Sequence, residues 1–267
     1  MGWFDLEKRD NEDWHLSLPI PDVFGPLIDE AFPELDHIGW RPSRNNPGVG
    51  FTFIKLYDDN DPVIEGLRDF LQVISPPLLI LTKSGALADE FDDELDFCFA
   101  LDMNFVQPES GERTHVGGLE FRAKWRDDAA SLDELARLMA GQIASNRVLA
   151  SADLIASIPG NPGKATHIPD ELVDQIADLV DDLDVVQLQK TVVTQELKTL
   201  ALEDKLQVLQ GAFACPSSVR GKSVLLIDDL YQSGSTMWRV AQVLKAQGAR
   251  KVYGLACVKS WRDSGNV

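Results

Sequence analysis

The residues best equipped for chemistry stand in one stretch, Val224-Leu225-Leu226-Ile227-Asp228-Asp229-Leu230-Tyr231-Gln232-Ser233-Gly234-Ser235-Thr236. Two adjacent carboxylates accept hydrogen bonds from hydroxyl groups, and their like charge makes them poor phosphate ligands. Just beyond them, Ser233 to Thr236 set small hydroxyl side chains around one glycine, where backbone N–H groups and a helix dipole can converge on a phosphate. Gly234 lets the backbone approach without a Cβ in the way. The combination describes a site for a phosphorylated sugar, with Asp228 and Asp229 on the ribose hydroxyls and Gln232, Ser233, Gly234, Ser235 and Thr236 around the 5′-phosphate. Each half has a plainer reading, an acidic pair that caps a turn and a serine-rich loop that starts a helix. Their conjunction after an apolar strand is what points to a ligand.

Such a loop must be presented by the carboxyl end of a buried strand. Ser223 to Ile227 is continuous and apolar, as in a parallel sheet buried on both faces. The helix from Thr236 carries Met237, Val240, Ala241 and Leu244, ends at Gly248 and leads to a strand over Lys251 to Val258. Upstream, Leu119 to Trp125 reads as a strand, and Ser131 with Glu134 as a capping box for a helix through Leu132, Leu135 and Met139. Leu154 to Ile158 reads as a strand, followed by a helix with Leu172, Ile176, Leu179 and Leu183 and a strand at Asp184 to Leu188. Alternating strands and helices predict a doubly wound α/β domain over 119–267 with a mostly parallel sheet. Before it, short helices near Val23 to Ala31 and from Pro62, and strands at Val49 to Tyr57, Leu78 to Thr82 and Phe97 to Met103, predict a smaller α+β region, 1–118. Pro108 to Gly118 is the expected linker.

The net charge of −18 is unevenly spread: residues 1–120 hold 25 Asp and Glu against 8 Lys and Arg, and residues 121–267 hold 18 against 17. An acidic N-terminal region repels phosphate backbones, which argues against non-specific nucleic acid binding. It suits a solvated face or a docking surface for a basic protein partner. Cys98, Cys215 and Cys257 are too scattered for a disulfide framework or a cysteine zinc site. The polar start and the shortness of the longest apolar run, Pro76 to Leu81, predict no signal peptide and no membrane span, hence a cytoplasmic protein.

The segment from Val224 to Thr236 resembles the thirteen-residue phosphoribosyl pyrophosphate (PRPP) signature of type I phosphoribosyltransferases, with Gln232 and Ser233 where threonines are usual and Ser235 where alanine is common. A wider likeness over about 119–260 is to the ComF-like, competence-associated branch. Lys124-Trp125-Arg126-Asp127 is similar to its K-Y-R-G segment, and Leu209-Gln210-Gly211-Ala212-Phe213 to the stretch before its signature. The four-cysteine zinc element usual in that branch is missing, so the first 115 or so residues look like a different domain.

The resemblance implies a glycosyltransferase of the pentosyl class that uses PRPP with Mg²⁺ bound through the ligand, and it implies a homodimer, as family members often form. It places the pyrophosphate loop at Gly160, Gly163 and Lys164, and cations of a mobile loop at Lys190, Lys198 or Lys205. Nothing in 1–118 reads as a base pocket, so the acceptor is left open. Three functions stand at this point: transfer of the 5-phosphoribosyl group to a nitrogen acceptor, PRPP or nucleotide sensing as a competence (DNA-uptake) accessory protein acting through partners, and a fold that has lost its ligand.

Overall fold

The computed structural model describes residues 5–8, 14–56, 62–83, 85–163, 167–193 and 200–261. They form two compact units, Met1–Gln72 and Val73–Val267.

The first unit is a four-stranded antiparallel sheet with helices α1 (Phe24–Ala31) and α2 (Pro62–Val73). Its strands β1 (Asp5–Lys8), β2 (Trp14–Pro21), β3 (Arg41–Pro42) and β4 (Val49–Leu56) lie in the order β1-β2-β4-β3. Pro19 and Pro21 lie within β2, opposite Phe51 and Val49. Leu27, Ile28 and Leu67 are fully buried, and the rings of Phe32 and Phe70 meet edge to face with centroids 5.5 Å apart.

The second unit is α/β. In chain order it contains β5 (Leu79–Leu81), α3 (Ala86–Glu90), β6 (Phe97–Met103), α4 (His115–Arg126), α5 (Ala129–Ser145), β7 (Leu154–Ser157), α6 (Ile168–Ala177), β8 (Asp184–Val185), β9 (Gln189–Lys190), α7 (Leu202–Val208), β10 (Phe213–Ala214), β11 (Ser223–Tyr231), α8 (Ser235–Ala246) and β12 (Lys251–Lys259). Six strands make one sheet in the order β5-β6-β12-β11-β7-β8, parallel throughout except for β5 at its edge. This is the expected doubly wound, mostly parallel sheet after a smaller α+β region. β9 and β10 form a separate two-stranded ribbon.

Two placements differ from the sequence reading. The division expected at residue 118 falls inside α4, because β5 and β6 belong to the large sheet: Phe97 to Met103 pairs along β12 and buries Cys98, Phe99 and Ala100. The expected strand at Leu119 to Trp125 is the body of helix α4. Leu119, Phe121, Ala123 and Trp125 alternate like a strand, but the Thr114 hydroxyl accepts a hydrogen bond from the Gly117 N–H at 3.0 Å and caps a helix that buries Val116, Leu119, Glu120 and Ala123. α5 likewise starts at Ala129, with Ser131 inside it donating to the Asp128 carboxylate at 2.6 Å, so the capping box at Ser131 does not form.

Candidate functional site

β7 leads through α6 to β8 on one side, and β11 leads through α8 to β12 on the other, so the strand order reverses between β7 and β11. In an open α/β sheet the crevice for ligands lies beyond the carboxyl ends of the strands at such a point. Here those ends carry Ser157 to Gly160 and Asp228 to Thr236.

The two acids are separated by strand pleating. Successive side chains of β11 point to opposite faces. Val224 and Leu226 join the cluster with Leu202, Leu206, Met237 and Trp238, on the face covered by α7 and α8, and Asp228 continues that face. Asp229 continues the other, where α4 packs, and ion-pairs with Lys124 Nζ, which also lies 3.7 Å from Glu120 Oε1. The Asp229 N–H donates to the Asp228 carboxylate at 2.9 Å.

Charge divides unequally between the carboxyls. Burial and the adjacent charge of Asp229 raise the Asp228 pKa well above the usual carboxylate range. Burial acts upward on Asp229 too, but the Lys124 ammonium outweighs it and holds Asp229 low. Burial alone would lower Lys124, and Asp229 and Glu120 instead raise it. Glu120, 5% exposed, is raised by burial against the pull of Lys124. The site therefore presents one firmly ionised carboxylate with its counter-ion, beside a carboxyl that favours a proton.

The loop Gln232 to Thr236 opens α8. Ser233 and Ser235 are buried with their Oγ atoms 3.1 Å apart, and Gly234 adopts φ +79°. Glycine is required there on two counts, since an added Cβ would also lie 2.1 Å from the Tyr231 hydroxyl. A cavity of about 180 Å³ runs from this loop to Asp228 and Asp229, with Lys124 and Lys205 in its wall.

A second cavity, about 470 Å³, shares Lys124 and Asp229 and continues to Gly160, Trp125 and the start of α6 at His167. The His167 ring packs so closely on Gly160 that a Cβ there would lie 2.6 Å from it. Its Nδ1 is 3.2 Å from Asp170, whose carboxylate also accepts from the Ser157 hydroxyl.

Of the residues singled out from sequence, Asp228, Asp229 and 232–236 line one cavity, and Gly160 lines its neighbour. Gly163 is exposed at φ +87°, and Lys164 and Lys198 lie outside the described residues. Lys190 is on β9 with its ammonium 5.7 Å from the Phe213 ring, away from both cavities, whereas Lys205 is on α7 and only 2% exposed. Sequence reasoning did not place Glu120 or His167 in the site. In the sequence Lys124 stands out only as part of a family-like tetrapeptide. Read as a helix, α4 would have put Glu120 and Lys124 one turn apart on one face. The three cysteines are buried and burial pushes their thiols up, which leaves them unreactive.

An α/β unit whose strand order reverses where two acids precede a glycine-containing loop that opens a helix belongs to the doubly wound class of α/β folds. Within that class, residues 132–260 match the family described as phosphoribosyl transferase domain, 129 of the chain's 267 residues. Among solved structures, a hypoxanthine phosphoribosyltransferase from Staphylococcus aureus is 14% identical, with 47% of this chain and 61% of that one aligned and a TM-score of 0.31. This chain thus spans less than two thirds of that enzyme's length. A purine phosphoribosyltransferase from Pyrococcus horikoshii, also 14% identical, aligns over 47% and 70% at a TM-score of 0.31. A hypoxanthine-guanine phosphoribosyltransferase from Bacillus anthracis, again 14% identical, aligns over 51% and 72% at 0.35. No curated protein matches the chain. No helix among the described residues is long and apolar enough to cross a membrane.

Proposed function

We propose that the protein binds PRPP in the crevice between β7 and β11 and transfers its 5-phosphoribosyl group to a nitrogen acceptor, releasing pyrophosphate. The observation that carries this reading is the continuity of one cavity from the Ser233 to Thr236 cradle to the Asp228–Asp229 pair. The cradle suits the 5′-phosphate. Asp229, charged and backed by Lys124, accepts from the ribose hydroxyls, and Asp228 can donate or accept according to its proton. The C1–O bond to pyrophosphate breaks with its electron pair on the departing oxygen, the acceptor nitrogen bonds to C1, and that nitrogen sheds its proton to water. Positive charge developing on the ribose lies near the Asp229 carboxylate, and positioning supplies the remainder of the rate.

The pyrophosphate end lies toward Gly160 and Gly163, and the sequence resemblance adds Lys164 to that loop. Mg²⁺ carried on the ligand's own oxygens would neutralise part of the pyrophosphate charge. The donor set fits that arrangement, because Asp229, the ionised acid of the pair, is engaged by Lys124, which leaves the ligand's own oxygens to hold the ion. We assign the reaction to the cytoplasm and to a homodimer.

Calorimetric titration with Mg²⁺-PRPP, followed by a screen of bases and amines for pyrophosphate release, tests the reading. Saturable binding lost in Asp228→Asn plus Asp229→Asn, together with turnover on some acceptor, is expected. A protein that neither binds nor consumes PRPP sinks it. A second reading, a PRPP or nucleotide sensor in DNA uptake acting through a partner, is favoured by the separate acidic first unit, and it predicts binding without turnover.

A further inference from the structure

Charge on α4 is divided between two edges of the helix. Glu120 and Lys124 serve Asp229. Gly118, Arg122 and Arg126, each two residues away, stand about 200° around the axis, on the opposite edge. There Arg113, His115, Phe121, Arg122 and Arg126 line a groove of about 450 Å³, and no Asp or Glu lines it among the described residues. In a chain with 43 acids against 25 bases, a wall of three arginines and no acid is a local reversal of sign.

The arginines are held in place. Phe121 gathers two of them, with Arg113 Cζ 4.2 Å and Arg126 Cζ 5.6 Å from its ring centroid, and Arg113 also meets the Phe105 ring at 4.6 Å. Rings satisfy the flat face of a guanidinium and none of its N–H donors. Neither Arg113 nor Arg126 ion-pairs with a carboxylate among the described residues. Arg122 is fixed through Nε, which donates to the Ser131 hydroxyl at 2.9 Å and lies 3.5 Å from Asp128. Its Nη1 lies back along the helix, where a Cβ at Gly118 would be 3.3 Å away. His115 is engaged by Glu134 at 2.9 Å. Two guanidinium groups gathered at one ring repel each other, and an anion between them relieves that repulsion and meets the donors the rings leave open. A carboxylate brings one charge. A phosphate monoester brings close to two and three acceptor oxygens, which matches a pair of arginines.

We propose that this groove is a second anion site, separate from the crevice between β7 and β11, and that it takes the phosphate monoester of a small phosphorylated compound of the nucleotide class. It goes beyond the PRPP reading and does not depend on it. Its ligand sits on the helix that supplies Lys124 to the acid pair.

Calorimetry on the full chain with AMP, adenosine and inorganic phosphate as probes, at low and high KCl and with thermal melts alongside, tests the proposal. Wild type should show a class of AMP sites that survives Asp228→Asn plus Asp229→Asn, weakens with salt and is not matched by adenosine. Arg113→Met plus Arg126→Met should weaken that class by about tenfold or more, because charge-assisted contacts are lost while methionine keeps the packing on the rings. PRPP sites that depend on Asp228 and Asp229 should stay within about twofold in the same variant. If the pair melts far below wild type, Arg126→Met, at an exposed residue, is read alone, with a loss of about threefold expected. Arginine variants that bind AMP and phosphate as wild type does, an AMP class matched by adenosine, or a wild type that binds a hexaglutamate peptide more tightly than AMP, overturns the assignment. Wild type that binds no PRPP yet keeps the arginine-dependent AMP class supports the groove and removes only the PRPP reading.

Discussion

At the scale of residues, the acid pair sets function against stability. In the unfolded chain Asp228 is ionised at neutral pH, while in the folded protein burial and Asp229 favour its protonated form. A raised folded pKa means that its favourable contribution is full below the ordinary carboxylate pKa and is lost as pH rises through the folded value. Asp228→Asn removes that cost. It should stabilise the ligand-free protein at pH 7 by about 1 kcal/mol, a gain that shrinks toward pH 4, while abolishing PRPP binding; urea denaturation at both pH values with a PRPP titration checks it. Asp229 has the opposite sign: its depressed pKa gives stability above the ordinary carboxylate range that is lost as pH falls through the folded value. Lys124→Met strands that carboxylate in a mostly buried setting and should cost about 3 kcal/mol at pH 7. The double variant Lys124→Met plus Asp229→Asn should recover much of the loss in the same denaturation series. If Lys124→Met alone is neutral, the ion pair does not hold the site as described.

At the scale of elements, what was legible in the sequence followed from locality. The strand, acids, loop and helix between Ser223 and Ala246 are contiguous, and each imposes a residue type: continuous apolar positions, paired carboxylates, a glycine at positive φ, small hydroxyls. α4 was not legible, because seven residues that alternate in polarity satisfy period 2 as well as a helix face, and its choice is made by partners distant in sequence. Thr114, which caps it, also donates to the Met103 carbonyl at 2.6 Å, and Gly117 lies so close to Asn104 that an added Cβ would be 2.1 Å from its carbonyl oxygen. Lys205 reads in the sequence only as a mobile-loop cation, and its burial was not legible for the related reason that nothing in an amphipathic heptad says its lysine will be buried. The close approach at Gly117 gives a test of α4 as the carrier of Lys124. Gly117→Ala must push the helix from the end of β6, costing roughly 1–3 kcal/mol in a thermal melt. It should weaken PRPP binding although Gly117 touches neither cavity, whereas equal destabilisation in the first unit should leave binding intact at a temperature where both variants are folded.

At the scale of the whole molecule, the acidity follows the compact units less closely than the sequence suggested. Residues 1–72 hold 15 Asp and Glu against 6 Lys and Arg, and residues 73–118 hold 9 against 2, so much of the surplus belongs to the sheet unit. There it is partly structural: Asp96 lies 2.7 Å from Lys245 and 3.3 Å from Lys251, and Glu90 meets Arg239 at 2.6 Å. These acids tie the β5–β6 edge to α8 and β12, and they are correspondingly less available to a basic partner. The sheet also determines where the chain can be cut. Every residue lining the two cavities lies after position 73. A fragment of residues 73–267 should therefore fold and bind PRPP within about threefold of the full chain. A fragment of residues 119–267 lacks β6, whose seven residues cover β12 along most of its length and bury Phe99 and Ala100, and it begins inside α4. It should expose β12 as a long apolar edge and aggregate. Soluble expression, circular dichroism and calorimetry on both fragments decide the matter: a well-folded, PRPP-binding 119–267 would mean that β5 and β6 are an addition to the sheet and not part of its core.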